Sequence, residues 1–460
     1  MRQRRVLIAA ATAAFVVVGA SVGTAGADDT YQLPGDPEPV DGTECIPFPK
    51  EHALHADVSG FAATDDDGVD AAAAELVVRD PVRGAKHHGF SIDAEDNSAY
   101  SHNVWGMPVN LTDAETDRYQ FRVGEARVEW IDPNYWWWGA MWRFHNTTGN
   151  LPDRSEIPVP DGAVGNPYTV TGVSFPVDWA FVEGDAPANY GDRHYLTIET
   201  DECAAYDTIT TQRPGAPGNP TPTVTGWAAF WALSATRWDL GGVGAAYRDP
   251  SATFPGYGSG TPFQTGHHYN AASHHESSAA GRFYAADAPG LPMGPMVLRY
   301  DDVEEHELDH ALRFTLPRDM VGPTPVWPAI YSDGSSTDPD ALPMGAWLRL
   351  DLTDDEIEER VQDLIDQDVI AVDPGDDPFE LSDAQRNLLD GLRTHGMILA
   401  DSNAGGWSFA VDPDSRWSVL DQAVIKQLDL ADFTQLVDAD DMRATSGSIG
   451  SSYATWFEIS

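Results

Sequence analysis

Short alternating runs of apolar residues, cut every few positions by proline or glycine, constrain this chain more than any other feature. Residues 311–316 alternate with period two, the spacing that turns one face of a strand toward a core, and residues 193–199 (RHYLTIE) and 205–210 read as a strand pair. The 33 prolines and 41 glycines fall largely between such runs. Proline cannot donate to a strand ladder, and glycine supplies the conformations that turns require. Many short strands separated in this way build packed sheets, so the expected fold is mainly β, a jelly-roll-like β-sandwich with a small helical insertion.

Helical signals come late in the chain. Thr353 with Glu356, ahead of Ile357, Val361, Leu364 and Ile365, forms a capping box, and Ser382 with Gln385 does the same ahead of Leu388, Leu389 and Leu392. These place the insertion at about residues 353–396, and a last helix near residues 419–428 closes the body. Other expected strands lie at residues 168–175, 179–183, 296–299, 397–400 and 407–410. Residues 119–144 read as a hairpin whose second half carries Trp136, Trp137, Trp138 and Trp142, and residues 224–240 as one long aromatic strand. Residues 401–406 form a turn, and residues 241–281, rich in Gly, Ser and His, form a surface loop.

The chain opens with MRQRR, an apolar run over residues 6–23 and Ala25-Gly26-Ala27, the three zones of a secretory signal, so the expected leader is residues 1–27. An extended Pro- and acid-rich arm follows over residues 28–45, then a single large domain over residues 46–460. No other stretch reaches the roughly 18 to 20 apolar residues of a membrane span, so the protein is expected to be secreted. Cys45 and Cys203 are the two cysteines, and in an exported chain they are expected to pair. Closing so long a loop contributes up to about 5 kcal/mol.

Charge narrows the partners. There are 73 acidic residues against 27 basic ones, a net charge of −46, and the lysines are only Lys50, Lys86 and Lys426. A surface of short acids spread along the whole chain fits high salt, where screening shortens self-repulsion to a few Å. It excludes nucleic acid, whose binding needs basic patches that displace counterions.

Several linked motifs carry a resemblance: APGLPMGPMVLRYDD, DHALRFTLP, VWPA, LPMGAWLRL, LRTHGMILAD and DPDSRW, with GDRHYLTIETDECAAYDT and ATRWDL upstream. In order and spacing they resemble a large family of uncharacterised secreted bacterial proteins, over about residues 48–437. The resemblance implies that Asp309 to Thr315 is kept in type and that His306 and Glu307 fall in a variable linker. Residues 241–281 and 354–368 depart from the pattern as insertions.

His306-Glu307-Leu308-Asp309-His310 matches the zinc-peptidase pattern of two histidines one helical turn apart with a glutamate between. A third ligand must then follow from a helix or Gly turn, but here the chain enters a strand, so no metal and no cofactor is assigned. The His-rich tracts at His87-His88 and at His267, His268, His274 and His275 read as surface. Asp192, His194 and Asp207 fall on neighbouring strands, Asp239 ends another, and these with His310 are the expected acid/base residues. Trp136, Trp138, Trp227, Trp238 and Arg313 are the expected substrate contacts, since flat aromatic faces stack on sugar rings. The functional expectation is a secreted carbohydrate-active protein, a glycoside hydrolase or lyase, with a polysaccharide or cell-wall glycan as its partner. A non-catalytic glycan-binding or cell-envelope protein is the alternative, and a zinc peptidase the third.

Overall fold

The structure is a computed structural model. It describes residues 37–40, 43–47, 53–64, 68–82, 84–87, 107–123, 155–160, 168–170, 173–175, 194–209, 211, 230–232, 234–240, 289, 291–326, 328–329, 332–370, 378–403 and 406–436.

In chain order the described strands are β1 (Val109–Thr112), β2 (Arg118–Val123), β3 (Ser155–Pro158), β4 (Tyr168–Val170), β5 (Val173–Phe175), β6 (Tyr195–Glu199), β7 (Ala204–Ile209), β8 (Phe230–Ala232) and β9 (Ser234–Asp239). They continue with β10 (Leu312–Pro317), β11 (Val321–Gly322), β12 (Leu342–Pro343), β13 (Trp347–Leu350), β14 (Met397–Asn403), β15 (Ser408–Phe409) and β16 (Phe433–Gln435). The helices are α1 (Gly68–Arg79), α2 (Asp301–Glu304), α3 (Asp354–Asp366), α4 (Asp383–Thr394) and α5 (Val419–Gln427). Strands in several sheets outweigh the helices, and the fold is mainly β.

Two larger sheets organise the molecule, one in the order β1-β6-β7-β9 and the other β15-β10-β14-β13-β16. Each mixes parallel and antiparallel neighbours: β1 runs parallel to β6, and β10 runs parallel to β14. Period-two alternation decides what each face meets. Leu196, Ile198, Ala205 and Trp238 of the first sheet share one core with Ala311, Trp347, Ile398 and Ala400 from the second. Their strand neighbours Tyr195, Ala204, Tyr206 and Ala235 turn the other way, onto Phe121, Ile157 and Ala232 of a three-stranded sheet β3-β2-β8. The far face of the second sheet, with Leu312, Phe314, Leu348, Met397 and Leu399, packs on α1, α3, α4 and α5. Each fully enclosed Leu, Ile or Phe of these layers stabilises the fold by roughly 1.5–3 kcal/mol.

The capping boxes at Thr353–Glu356 and Ser382–Gln385 form, as their spacing predicts. Gly391 lets α4 come close to the chain that precedes β10. A Cβ there would stand 2.4 Å from Leu308 Cβ and 2.7 Å from its carbonyl oxygen.

Four expectations are corrected. Helices do not wait for residue 353, because GVDAAAAELVVR forms α1, where a run of alanines carries high helix propensity. Residues 296–299 form no strand; Gly294–Met296 is a 3-10 turn, and Leu298 makes one isolated bridge to Val411. The long strand over residues 224–240 is broken, with β8 pairing with β2 and β9 with β7. Residues 401–403, expected in a turn, continue β14 beyond a bulge opposite Phe314 and Thr315. The second half of the hairpin over 119–144, residues 179–183 and the loop over 241–281 lie outside the described residues.

Candidate functional site

Asp207 sits on β7, on the face that meets the second sheet. It is fully enclosed, and Leu196, not His194, lies directly opposite it on β6. Trp238, a diagonal neighbour on β9, donates its Nε1–H to Asp207 Oδ2 at 2.7 Å. The 3-10 turn brings two more donors, Met293 N to Oδ2 at 2.8 Å and Gly294 N to Oδ1 at 3.4 Å. Burial pushes the Asp207 carboxyl up to about 6, against the pull of these N–H groups and of the Arg313 charge. Arg313 is itself fully buried on β10, with Nη1 at 3.2 Å from Met107 Sδ and Nη2 at 3.8 Å from Asp401 Oδ2. Asp207, Trp238 and Arg313 are thus brought together, but between the sheets, away from solvent.

His310 stands elsewhere. It precedes β10 and lines a cleft of about 240 Å³ together with Arg299, Asp302, His55 and a rim of Glu38, Asp301, Glu304, Glu305 and Asp309. The cleft floor is built by α2. Arg299 Nη2 donates to Asp302 Oδ1, and the Arg299 backbone N donates to Oδ2 at 2.8 Å. His310 Nε2 lies 3.8 Å from the same Oδ2, an ionic contact too long for a direct hydrogen bond. Its Nδ1 is 3.2 Å from the Ala311 carbonyl oxygen, which as an acceptor favours a proton on Nδ1. Burial alone would raise the Asp302 carboxyl, yet the Arg299 charge and His310 outweigh it and hold it down to about 2. Burial likewise opposes charge on His310, but Asp302 wins and its pKa is raised. The result is an ionised aspartate, anchored by a buried guanidinium, facing an imidazole that it keeps inclined to hold a proton.

Pro295 and Ile198 form another part of the cleft wall, and a Cβ added to Gly294 would lie 3.7 Å from Asp207 Oδ1. The turn at 294–296 therefore separates the enclosed Asp207 from the cleft. A third acid, Asp412, lies near the same arginine; it accepts from Val109 N at 3.1 Å, and burial pushes it up to about 7.

The zinc pattern does not take up ligand geometry. Helix α2 ends at Glu304, residues 307–309 carry no regular structure, and Glu307 Oε1 accepts from Thr394 Oγ1 at 2.8 Å. Without a helix under them His306 and His310 do not share a helical face. Among the described residues no group of three His, Cys, Asp or Glu side chains is placed to hold a metal ion.

His194 is buried at the start of β6. Asp239 ends β9 opposite Ala204, and its side chain lies outside the described residues, as do Asp192, Trp136, Trp138 and Trp227. His87, read as surface, is buried against Trp407 and Phe409 and accepts from Phe409 N at 3.1 Å. Cys45 and Cys203 are bonded. Among the described residues no helix is long and apolar enough to cross a membrane.

Sequence reasoning missed Arg299, Asp302 and His55. The first two carry a signal, an arginine three residues ahead of an aspartate in LRYDD, whereas His55 has none because its partners are distant backbone carbonyls. No family model, curated protein or solved structure matches the chain.

Proposed function

We propose that this protein is a secreted carbohydrate-active hydrolase that works on neutral or amino polysaccharides with the Asp302–His310 pair as its acid/base centre. The observation that carries the reading is the cleft itself. A histidine whose pKa is raised by an anchored carboxylate opens onto a cavity rimmed by further carboxylates. General acid–base catalysis needs a proton carrier at the substrate and a group that stabilises its charged form. His310 takes the first role and Asp302 the second. Among the described residues, the carboxylates of the rim acids Glu305 and Glu38 have no hydrogen-bond or ion-pair partner, which makes these two the candidates for the second reacting group. Asp309 holds Glu38 N, and Glu304 pairs with Arg416.

Size and charge narrow the substrate. Ligand pockets usually span about 300–1,000 Å³, so a cavity of about 240 Å³ takes one unit of a polymer rather than a long segment. A uronate carboxylate would enter among Glu38, Glu305 and Asp309 and be repelled, which favours hydrolysis over lyase chemistry. The net charge of −46 and the Cys45–Cys203 bond support a saline, oxidising surrounding outside the cell. The family resemblance over residues 48–437 belongs to the same proposal. So does jelly-roll wiring: the face-to-face packing of the two larger sheets supports it, and the parallel pairs β1–β6 and β10–β14 restrict it to a variant of that pattern.

The enclosure of Asp207 favours a second reading, a binding protein that uses the same cleft without turnover, because it withdraws one of the expected acids from any substrate. Incubation of the oxidised protein with neutral, amino and uronate polysaccharides separates the two. New reducing ends from neutral or amino glycans support the hydrolase. Retention of glycan with no new ends supports the binder, and release from uronates alone contradicts the charge argument.

A further inference from the structure

The N-terminal segment enters the cleft. Glu38, Pro39 and Pro47 line it together with Arg299, Asp302 and His310. Three devices hold this segment. Glu38 N donates to Asp309 Oδ2 at 2.7 Å, across 271 residues of sequence. His55, itself buried, has Nε2 at 2.8 Å from the Pro47 carbonyl oxygen and Nδ1 at 2.7 Å from that of Asp309, so one ring bridges the segment and the chain that carries His310. The third is covalent. Cys45, enclosed in the core shared by the two larger sheets, is bonded to Cys203 in the turn between β6 and β7. Within the segment, Val40 N donates to the Cys45 carbonyl at 2.7 Å and Thr43 N to that of Val40 at 2.9 Å, so the stretch that projects Glu38 and Pro39 is pinned at its base by the disulfide.

We propose that residues 37–40 and 43–47 form a substrate-binding wall rather than a linker, and that the Cys45–Cys203 bond makes the cleft a binding site, complete only in the oxidised protein. This rests on the reading of the cleft as the site of glycan chemistry. The segment brings Glu38 to the rim and two prolines whose rigid rings shape the wall at low conformational cost. With the disulfide open, the segment keeps the Glu38–Asp309 bond, the His55 bridge and the packing of Val40 in the core, and loses its covalent tie to the turn between β6 and β7. The wall then swings from the floor and exposes His310.

Histidine labelling with diethyl pyrocarbonate, mapped by peptide mass spectrometry, reads this without a known substrate. Reduction by dithiothreitol breaks the S–S bond with two electrons and two protons from the reagent, leaving two protein thiols and a cyclic disulfide in the reagent. The labelling rate of His310 should rise at least tenfold on reduction, while His87, enclosed against Trp407 and Phe409, keeps its slow rate. A Cys45→Ser, Cys203→Ser variant should reproduce the rise with no thiols present. Equal His310 rates in the bonded and unbonded proteins overturn the proposal. A joint rise at His310 and His87 also overturns it, because the bond then holds the body and not a wall. Glycan turnover, followed separately, keeps the two readings apart. A His310 rise without turnover in the oxidised protein removes the hydrolase and leaves the wall; turnover with unchanged labelling does the reverse.

Discussion

Asp207 and Asp302 are both enclosed carboxylates, both close to the same 3-10 turn, and their surroundings drive them in opposite directions. Asp207 is held by neutral donors, the indole of Trp238 and two backbone N–H groups, with Arg313 acting only at longer range, and burial carries it up to about 6. Asp302 is gripped by the guanidinium of Arg299 and is held down to about 2 although it too is buried. Depth therefore does not decide which acid is charged. The formal charge of the nearest partner does, because burial strengthens a charge–charge interaction more than it strengthens a dipole. The difference also assigns roles. A carboxylate held by neutral donors between the sheets fastens them together, whereas one that faces a histidine lining the cleft can stabilise a moving proton.

The largest effect is expected at Arg299. Arg299→Met should cost about 3–5 kcal/mol in equilibrium unfolding at neutral pH, since it leaves Asp302 buried without its counter-charge. A loss below about 1 kcal/mol would mean that Asp302 is not held by the arginine at all.

Titration sharpens the contrast. The folded Asp207 pKa lies above the ordinary 3.8, so the stability it contributes is fully present below pH 3.8 and is lost as pH rises through about 6. The stability difference between the unsubstituted protein and Asp207→Asn should thus move by about 3 kcal/mol over that window, from denaturant midpoints. Asp302 has the opposite sign. Its folded pKa is depressed, so its contribution is present above 3.8 and is lost as pH falls through about 2, a change of about 2 kcal/mol in the difference from Asp302→Asn. Slopes of equal sign in the two pairs would contradict the assignment.

The smallest effect belongs to the rim. Arg416 joins Asp301, Glu304 and Asp414 and lies over the Tyr300 ring with its centroid at 4.7 Å, but at a half-exposed position. Arg416→Gln should cost under about 1 kcal/mol, less again at molar salt, by thermal melting at two ionic strengths.

What could be read from the sequence was local. The capping boxes of α3 and α4, the strand β10 and the β6–β7 pair follow from spacing within a few residues. The disulfide follows from there being two cysteines in a chain whose first residues read as an export leader. Helix α1 escaped because its alanine-rich run offers propensity without a sharp apolar stripe. At the site, His310 was legible from its motif, but its role was not. The arginine that sets the charge of its partner stands just ahead of a run of acids with no residue-level cue to their pairing with His310, and His55 and the segment at residues 37–40 and 43–47 come to it from some 250 residues away. Asp207 and Trp238 were both singled out, and they do meet. That they meet under a lid depends on Met293 and Gly294, which no pattern around residue 207 reveals.

The most direct test of the account sets His310→Gln beside Asp207→Asn in the same glycan-hydrolysis assay. Loss of a proton carrier costs about 10²–10⁴-fold in turnover. His310→Gln should fall by at least about a hundredfold with its melting temperature little changed, while Asp207→Asn keeps its turnover and shows its effect in the pH dependence of stability alone. Full turnover in His310→Gln, or its loss in a folded Asp207→Asn, would contradict the placement of the chemistry in the cleft.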